Sequence, residues 1–351
     1  MSLDRWIKAT HRSGGGTTLG IPPIFYLDWE KREIQWLNEI PQSERLRKRE
    51  LFTVEIKWKS YNLIITLCTP HTGEHIYQHQ PEMTYTNISY LKSHLQKCIR
   101  RGRTCLALQT FAHLINLDTA HALRRLSIII LEDVCLIKAL GPLIWLTAGV
   151  SKGYQLVESQ VCWLFGLVYA ITRHPVQDCL DNLLKEPFKL HRLPSGRFDE
   201  SVRQLVIALQ FRRSYGGLKG DLNLFDQGTI TLIRRNEIQD LPIPLLTPPR
   251  CPLKLNNWIL AGLDFHCISS MCEILMNQHD QFTDEQMRAT IWHCSSSYNF
   301  RTYRIDGESS RDIVEKAECA RRSLYLEFLP IWKIISRSCR NLAKYYLNRN
   351  Y

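Results

Sequence analysis

Acidic residues are missing from two long parts of the sequence. No aspartate or glutamate occurs between Met83 and Leu117, and none follows Glu327. Over the whole chain of 351 residues, 45 lysines and arginines stand against 34 acids, which gives a formal net charge of +11. This excess favours a polyanionic partner (nucleic acid, an acidic protein surface or an anionic membrane), although solubility alone would also account for it.

Closely paired cysteines are also missing, because none of the 12 cysteines stands in a Cys-x-x-Cys pair. Most lie within apolar helical patterns, as Cys98, Cys135 and Cys162 do, where a free thiol serves as a small core residue. We therefore predict an intracellular protein of a reducing compartment, the cytoplasm or the nucleus. The histidines and cysteines between His266 and Cys294 lack the paired spacing of zinc ligands, so no metal and no cofactor is predicted.

Long hydrophobic runs and nucleotide-binding loops are absent from the sequence too. The longest clean apolar run, Ala139–Val150, is shorter than the roughly 20 residues of a membrane-spanning helix, so no membrane partner is predicted. No G-x-x-x-x-G-K-[ST] sequence occurs. The glycine-rich segment from Gly216 to Asp221 lacks the strand-then-helix context of a phosphate loop, so it is interpreted as a helix end and a tight turn.

The remaining patterns predict a mainly α protein, with a multi-helix, bundle-like body and a small N-terminal antiparallel β element. Residues 1–20 are glycine-rich and are predicted to be flexible. Residues 21–85 form a small β-containing region. Helical regions follow over residues 86–175 and 200–351, or as one continuous helical domain over 86–351.

The β prediction depends on alternation with a period of two. Apolar and polar residues alternate from Phe52 to Trp58, which is typical of a strand with one buried face. A second apolar run covers residues 63–67, and residues 75–79 are a candidate third strand. Together these segments predict an antiparallel meander.

The helix prediction depends on apolar residues at helical spacing and on capping signals. Asn87 or Thr86 caps the first helix and Gly102 ends it, while Thr283 with Gln286 forms a capping box for a later one. The other predicted helices are Thr104–Leu117, Thr119–Cys135, Gln155–Arg173, Glu200–Ser214, Asn256–Met276, Thr283–Trp292, Ser309–Leu326 and Ile331–Leu347.

The last predicted helix carries a stripe of a single charge sign. Its members recur at spacings of four, three and four residues, and they are Lys333, Arg337, Arg340 and Lys344. This spacing places all four on one narrow face of a helix. Because opposite charges four residues apart stabilise an ordinary exposed face, a face of one sign is better suited to bind phosphates.

A second basic group lies near the end of the first helix, off its apolar face, and consists of Lys97, Arg100, Arg101 and Arg103. Phosphate binding is one interpretation of this group. The other interpretation is local, because the helix dipole stabilises cations near a helix C-terminus.

The same part of the chain resembles a known family. The sequences YLKSHLQKCIRRG (90–102) and ALRRLSIIILEDV (122–134) are similar to the helical collar region of clamp-loader-related AAA+ ATPases of the Werner-helicase-interacting type. The resemblance covers about 45 residues and does not include the phosphate loop that defines the ATPase. It implies a helical packing unit in a replication or repair setting, without ATP hydrolysis.

These observations favour a non-enzymatic, nucleic-acid-associated protein that binds phosphates through its two basic groups. A scaffold protein that docks an acidic protein is the first alternative. A Mg²⁺-dependent nuclease is the second, because Glu55 and Lys57 stand two apart on a predicted strand with Asp28 upstream. This arrangement resembles that of restriction-endonuclease-like nucleases, in which carboxylates hold Mg²⁺ and the lysine positions water.

Overall fold

A computed structural model describes most of the chain. The described ranges are 22–42, 50–78, 87–180, 199–251, 253–254, 258–259, 261–304 and 308–348. The strands are β1 (Ile24–Asp28), β2 (Glu33–Leu37), β3 (Leu51–Trp58), β4 (Leu63–Pro70), β5 (Val176–Asp178) and β6 (Thr302–Arg304). The helices are α1 (Ile88–Arg100), α2 (Thr104–Leu117), α3 (Thr119–Asp133), α4 (Leu140–Val150), α5 (Glu158–Arg173), α6 (Glu200–Arg213), α7 (Lys219–Arg235), α8 (Ala261–Gln278), α9 (Asp284–Ile291) and α10 (Glu308–Asn348).

The predicted fold class is confirmed, since the protein is 59% helical and carries one small N-terminal sheet dominated by antiparallel pairs. The capping signals also act as predicted. The Asn87 side chain accepts a hydrogen bond from the Tyr90 amide. Thr283 and Gln286 form a reciprocal capping box at the start of α9.

The chain divides into two compact units that draw on separated stretches of sequence. The first unit consists of the described residues within Met1–Tyr77, Leu126–Val161 and Leu180–Pro242, and the second of those within Gln78–Arg125, Cys162–Cys179 and Ile243–Tyr351. Both α3 and α5 contain a boundary, so these units differ from the contiguous regions that the sequence patterns predict. The predicted flexible segment 1–20 lies outside the described residues.

The sheet of the first unit has the strand order β2-β1-β4-β3. β1 pairs with β2 and β3 pairs with β4 in antiparallel fashion, whereas β1 pairs with β4 in parallel. The predicted meander missed β1 and β2. β1 has no period-two alternation, because it lies between two strands and buries consecutive residues from Phe25 to Leu27. The described part of the predicted strand, residues 75–78, forms one bridge, between Ile76 and Val157.

Aromatic side chains fill the space between this sheet and the helices α4 and α6. The rings of Phe25 and Trp36 stack with centroids 4.3 Å apart, and Phe211 of α6 meets both edge-on. The indole of Trp145 in α4 donates a hydrogen bond of 2.8 Å to the Phe25 carbonyl. These contacts bury large aromatic surfaces in favourable edge-to-face and stacked geometries, and so hold the helices on one face of the sheet.

The structure contains two helices that are not among the predicted ones, α4 and α7, and it joins two predicted helices into one. α7 was not predicted, because its sequence contains two glycines and several β-branched residues that lower helix propensity. The predicted turn before it is present, with positive φ angles at Gly216 and Gly217. The two predicted C-terminal helices are one helix, α10, which continues through Pro330.

Candidate nucleic-acid interface

One face of the second half of α10 packs onto α8 and α9 within the second unit. The buried residues of this contact are Ile335 and Cys339 of α10, Met271, Cys272 and Leu275 of α8, and Met287 and Ile291 of α9. Ala343 and Leu347 continue the buried row of α10 toward its end. The row recurs every four residues, so the helix presents one apolar side to its neighbours and leaves the other to solvent.

The predicted stripe lies on the solvent side of α10. All four of its side chains, on Lys333, Arg337, Arg340 and Lys344, are exposed. At 100° per residue they span roughly 60° of the helix surface and about 16 Å of its length. Within the described part of the chain, none of the four forms an ion pair.

The helix dipole does not account for the stripe. Its effect is confined to the last turn of a helix, and the last turn of α10 contains no basic residue. The charges of α10 are also unevenly distributed along its sequence. Residues 308–327 contain four basic and five acidic residues, whereas residues 328–348 contain four basic and no acidic ones. The second half of α10 therefore presents uncompensated positive charge to solvent.

The second predicted group is mostly engaged inside the protein. Lys97 and Arg100 are buried, Arg101 is half-buried, and only Arg103 is exposed. The Arg100 Nη1 atom donates a hydrogen bond of 2.7 Å to the Ser296 carbonyl. Because these side chains have little access to solvent, the prediction that the whole group binds phosphates is not supported by the geometry.

The buried Arg100 and the half-buried Arg101 cap the end of another helix, which accounts for their positions inside the protein. α9 continues into a π-helical turn, Trp292–Ser296, and the last carbonyls of a helix lack partners within it. Arg101 donates to the carbonyls of Cys294 and Ser295, beside the bond from Arg100. These hydrogen bonds stabilise the end of α9 and its π-helical turn, whereas the local interpretation placed the effect of the cations at the end of α1.

The nuclease residues are not brought together. Ile24 of β1 and Glu55 of β3 lie in one row across the sheet, with β4 between them. Asp28 is four residues further along β1, roughly 13 Å from that row, whereas carboxylates that share Mg²⁺ lie about 2.1 Å from it. Asp28 instead pairs with Lys31 at 2.9 Å. Glu55 and Lys57 point to the exposed side of the edge strand.

The histidine- and cysteine-rich region forms no metal site among its described residues, where no group of three potential ligands occurs. His266 and Cys267 lie outside the described side chains. Burial raises the pKa of Cys272 and of Cys294 to about 11, which keeps both thiols protonated. The ring of His293 stacks on Phe328.

None of the helices, as far as their residues are described, is long and apolar enough to cross a membrane.

No protein-family model, curated protein or solved structure matches this chain. The resemblance of residues 90–134 to a AAA+ collar therefore remains an expectation. In the structure this segment corresponds to α1, α2 and α3.

The sequence patterns missed three exposed aromatic residues in the second unit. Trp292, Tyr298 and Phe300 follow α9 within nine residues, and each is exposed to about two fifths. Large aromatic side chains are usually buried to a high degree, so the sequence predicts burial for these three residues. No local pattern marks them as exceptions. Their exposure follows from contacts with distant parts of the chain.

Proposed function

We propose that this protein binds nucleic acid through the second half of α10 and performs no chemistry on it. The supporting observation is the exposed stripe of four cations, which lies beside the buried row of that helix, roughly 110° around the helix axis from its centre. Phosphate contacts made by such a stripe are electrostatic and independent of sequence. The resemblance of α1–α3 to a AAA+ collar supports a replication or repair setting as part of this proposal.

Salt dependence tests the proposal directly. Each phosphate contact contributes about −0.9 to the slope of log K against log salt concentration for duplex DNA, and about −0.7 for single strands. An Arg337→Ala/Arg340→Ala variant should therefore lower the steepness of the slope by about 1.4 to 1.8. An Arg311→Ala/Lys316→Ala variant, which removes two exposed cations from the first half of α10, is the matched control and should keep the original slope.

Fluorescence anisotropy of a labelled oligonucleotide at several salt concentrations measures these slopes. Absence of binding at low salt, or equal slopes for the two variants, would refute the proposal. Polyglutamate is a second probe. If it binds as tightly as the oligonucleotide and depends equally on the stripe, the acidic-protein alternative is favoured instead.

A further inference from the structure

In the segment from Tyr298 to Arg301, the polar residues are buried and the aromatic residues are exposed. Asn299 and Arg301 are buried, at 5% and 1% exposure, whereas Tyr298 and Phe300 remain 40% and 38% exposed. The hydrophobic effect favours the reverse arrangement, because burial stabilises aromatic rings and is costly for a guanidinium. A cluster of aromatic rings that is kept in solvent in this way is typical of a binding surface.

Hydrogen bonds to distant elements fix this arrangement. Arg301 donates to the carbonyl of Ile99 in α1 at 3.1 Å and to the carbonyl of Ile171 in α5. The Asn299 amide donates to Gln177 Oε1 of β5 at 3.0 Å. Successive side chains of an extended chain point to opposite sides. Anchoring these two residues inside therefore directs the two aromatic residues beside them outward.

Each of the rings of Trp292, Tyr298 and Phe300 has a cationic group near it. The pairs, with the distance from the charged group to the ring centroid, are Lys97 and Trp292 (5.8 Å), Arg101 and Tyr298 (6.0 Å), and Arg301 and Phe300 (4.6 Å). The exposed Arg103 follows Gly102, on which the Phe300 ring rests. Because Lys97 and Arg301 are buried, these cations hold the rings in place and leave the phosphate contacts to the stripe. The exposed part of each ring is then available to stack on a base, as in proteins that hold single-stranded nucleic acids.

The segment that carries the aromatic residues also contacts α10, N-terminal to the stripe. The rings of Tyr298 and Tyr325 lie 5.5 Å apart, and His293 stacks on Phe328, so this segment packs on the middle of α10. Lys333 follows Phe328 by five residues, which is about 7.5 Å along the helix and roughly 140° around it. A strand of nucleic acid that contacts both the stripe and the aromatic residues therefore passes partly around α10, and both contacts lie within the second unit.

We propose that Trp292, Tyr298 and Phe300 form an aromatic platform that stacks on unpaired bases of single-stranded nucleic acid. This inference rests on the proposed function, because the stripe supplies the phosphate contacts that bring the strand to the platform. Bases in a duplex are already paired and stacked, so the platform makes no use of them. The protein consequently binds single strands more tightly than duplexes of the same length.

A variant of the platform separates base stacking from phosphate contacts. Tyr298→Ala/Phe300→Ala removes two stacking rings, each of which contributes about tenfold or more to single-strand affinity. We expect roughly 100-fold weaker binding of a single-stranded oligonucleotide, an unchanged salt slope and unchanged duplex binding. The control is Ile64→Ala/Leu218→Ala, which removes two exposed apolar side chains from the first unit and should change none of these quantities.

An abasic oligonucleotide and a milder variant complete the test. The unmodified protein should bind the abasic strand as weakly as the platform variant binds the normal one. Tyr298→Leu/Phe300→Leu keeps apolar side chains but loses the rings, and it should show the same loss with an unchanged urea midpoint. These two results guard against a general loss of folding.

The outcomes distinguish this inference from the proposed function. If the platform variants and the abasic strand bind normally while the stripe sets the salt slope, the stacking inference is overturned and the proposed function stands. If the unmodified protein binds no oligonucleotide at low salt, both proposals fail.

Discussion

Acid should destabilise this protein through His94, a fully buried residue of α1. Its Nδ1 atom donates to the Thr110 hydroxyl at 2.7 Å, and that hydroxyl donates in turn to the Leu106 carbonyl at 2.6 Å. Its Nε2 atom accepts the backbone N–H of Ile259 at 2.9 Å. This network fits the neutral ring, because a proton on Nε2 would point at another donor. Burial lowers the pKa of His94 to about 3.

The sign and size of the effect follow from linkage. The pKa of His94 is lower in the folded protein than its ordinary value of 6.5, so the unfolded chain binds more protons between these two values. The stabilisation is complete above pH 6.5 and is lost as the pH falls toward 3. At pH 5 the unfolded state gains about 2 kcal/mol from protonation of this one histidine.

Urea denaturation at pH 7.5 and pH 5 measures this loss. His94→Gln has no titrating ring, so the change in unfolding free energy between the two pH values should shrink by about 2 kcal/mol. His71→Gln, at an exposed histidine, should leave the change as it is. An unaltered pH dependence in His94→Gln would refute the reasoning.

Part of the pH dependence should remain in the His94 variant. His113 of α2 accepts the N–H of Leu253 at 2.8 Å, and burial lowers the pKa of His113 as well. The change in unfolding free energy between the two pH values therefore contains contributions from both histidines. The difference in this change between the His94 variant and the unmodified protein gives the contribution of His94 alone.

Further predictions concern close packing and a buried ion pair. A Cβ atom at Gly166 would collide with the Pro244 carbonyl oxygen, so Gly166→Ala should lower the unfolding free energy by about 3 kcal/mol in urea titrations. Gly220→Ala, at a helical site with open space, is its control and should raise that free energy by about 0.5–1 kcal/mol. Asp226 is buried and pairs with Arg213 at 2.7 Å, so Asp226→Ala should lower the free energy by roughly 3 kcal/mol in the same measurement. Equal stabilities for the two glycine variants, or a loss below 1 kcal/mol for Asp226→Ala, would contradict these expectations.

The sequence predicts well those elements whose signals are local. The helices α1 and α9 follow from caps and apolar spacing near their ends, and α2 follows from apolar spacing alone. β1 has no such signal, because its buried residues from Phe25 to Leu27 reflect its position between two other strands. The continuity of α10 past Pro330 likewise depends on the neighbours on which its buried face packs.

The same distinction separates the two basic groups. The stripe of α10 is predicted from the helical spacing of residues within one segment. Its exposure depends only on which side of that helix packs against other helices. The burial of Arg100 depends on the Ser296 carbonyl, 196 residues away in sequence. The exposure of Tyr298 and Phe300 depends on acceptors of Arg301 in α1 and α5. Such distant partners are invisible to any local pattern.

The order in which the two units receive their residues has a consequence for synthesis on the ribosome. The first unit is incomplete until Pro242 has been synthesised. The second unit is incomplete until the part of the chain that begins at Ile243 has been synthesised as well. Until then, the apolar faces of α1 and α2, which belong to the second unit, lack the later residues of that unit as packing partners. Nascent chains of this protein should therefore depend on chaperones. For the same reason, a single cut leaves at least one unit incomplete, and a fragment that holds all of the first unit also carries α1 and α2 without the residues of the second unit from Ile243 onward.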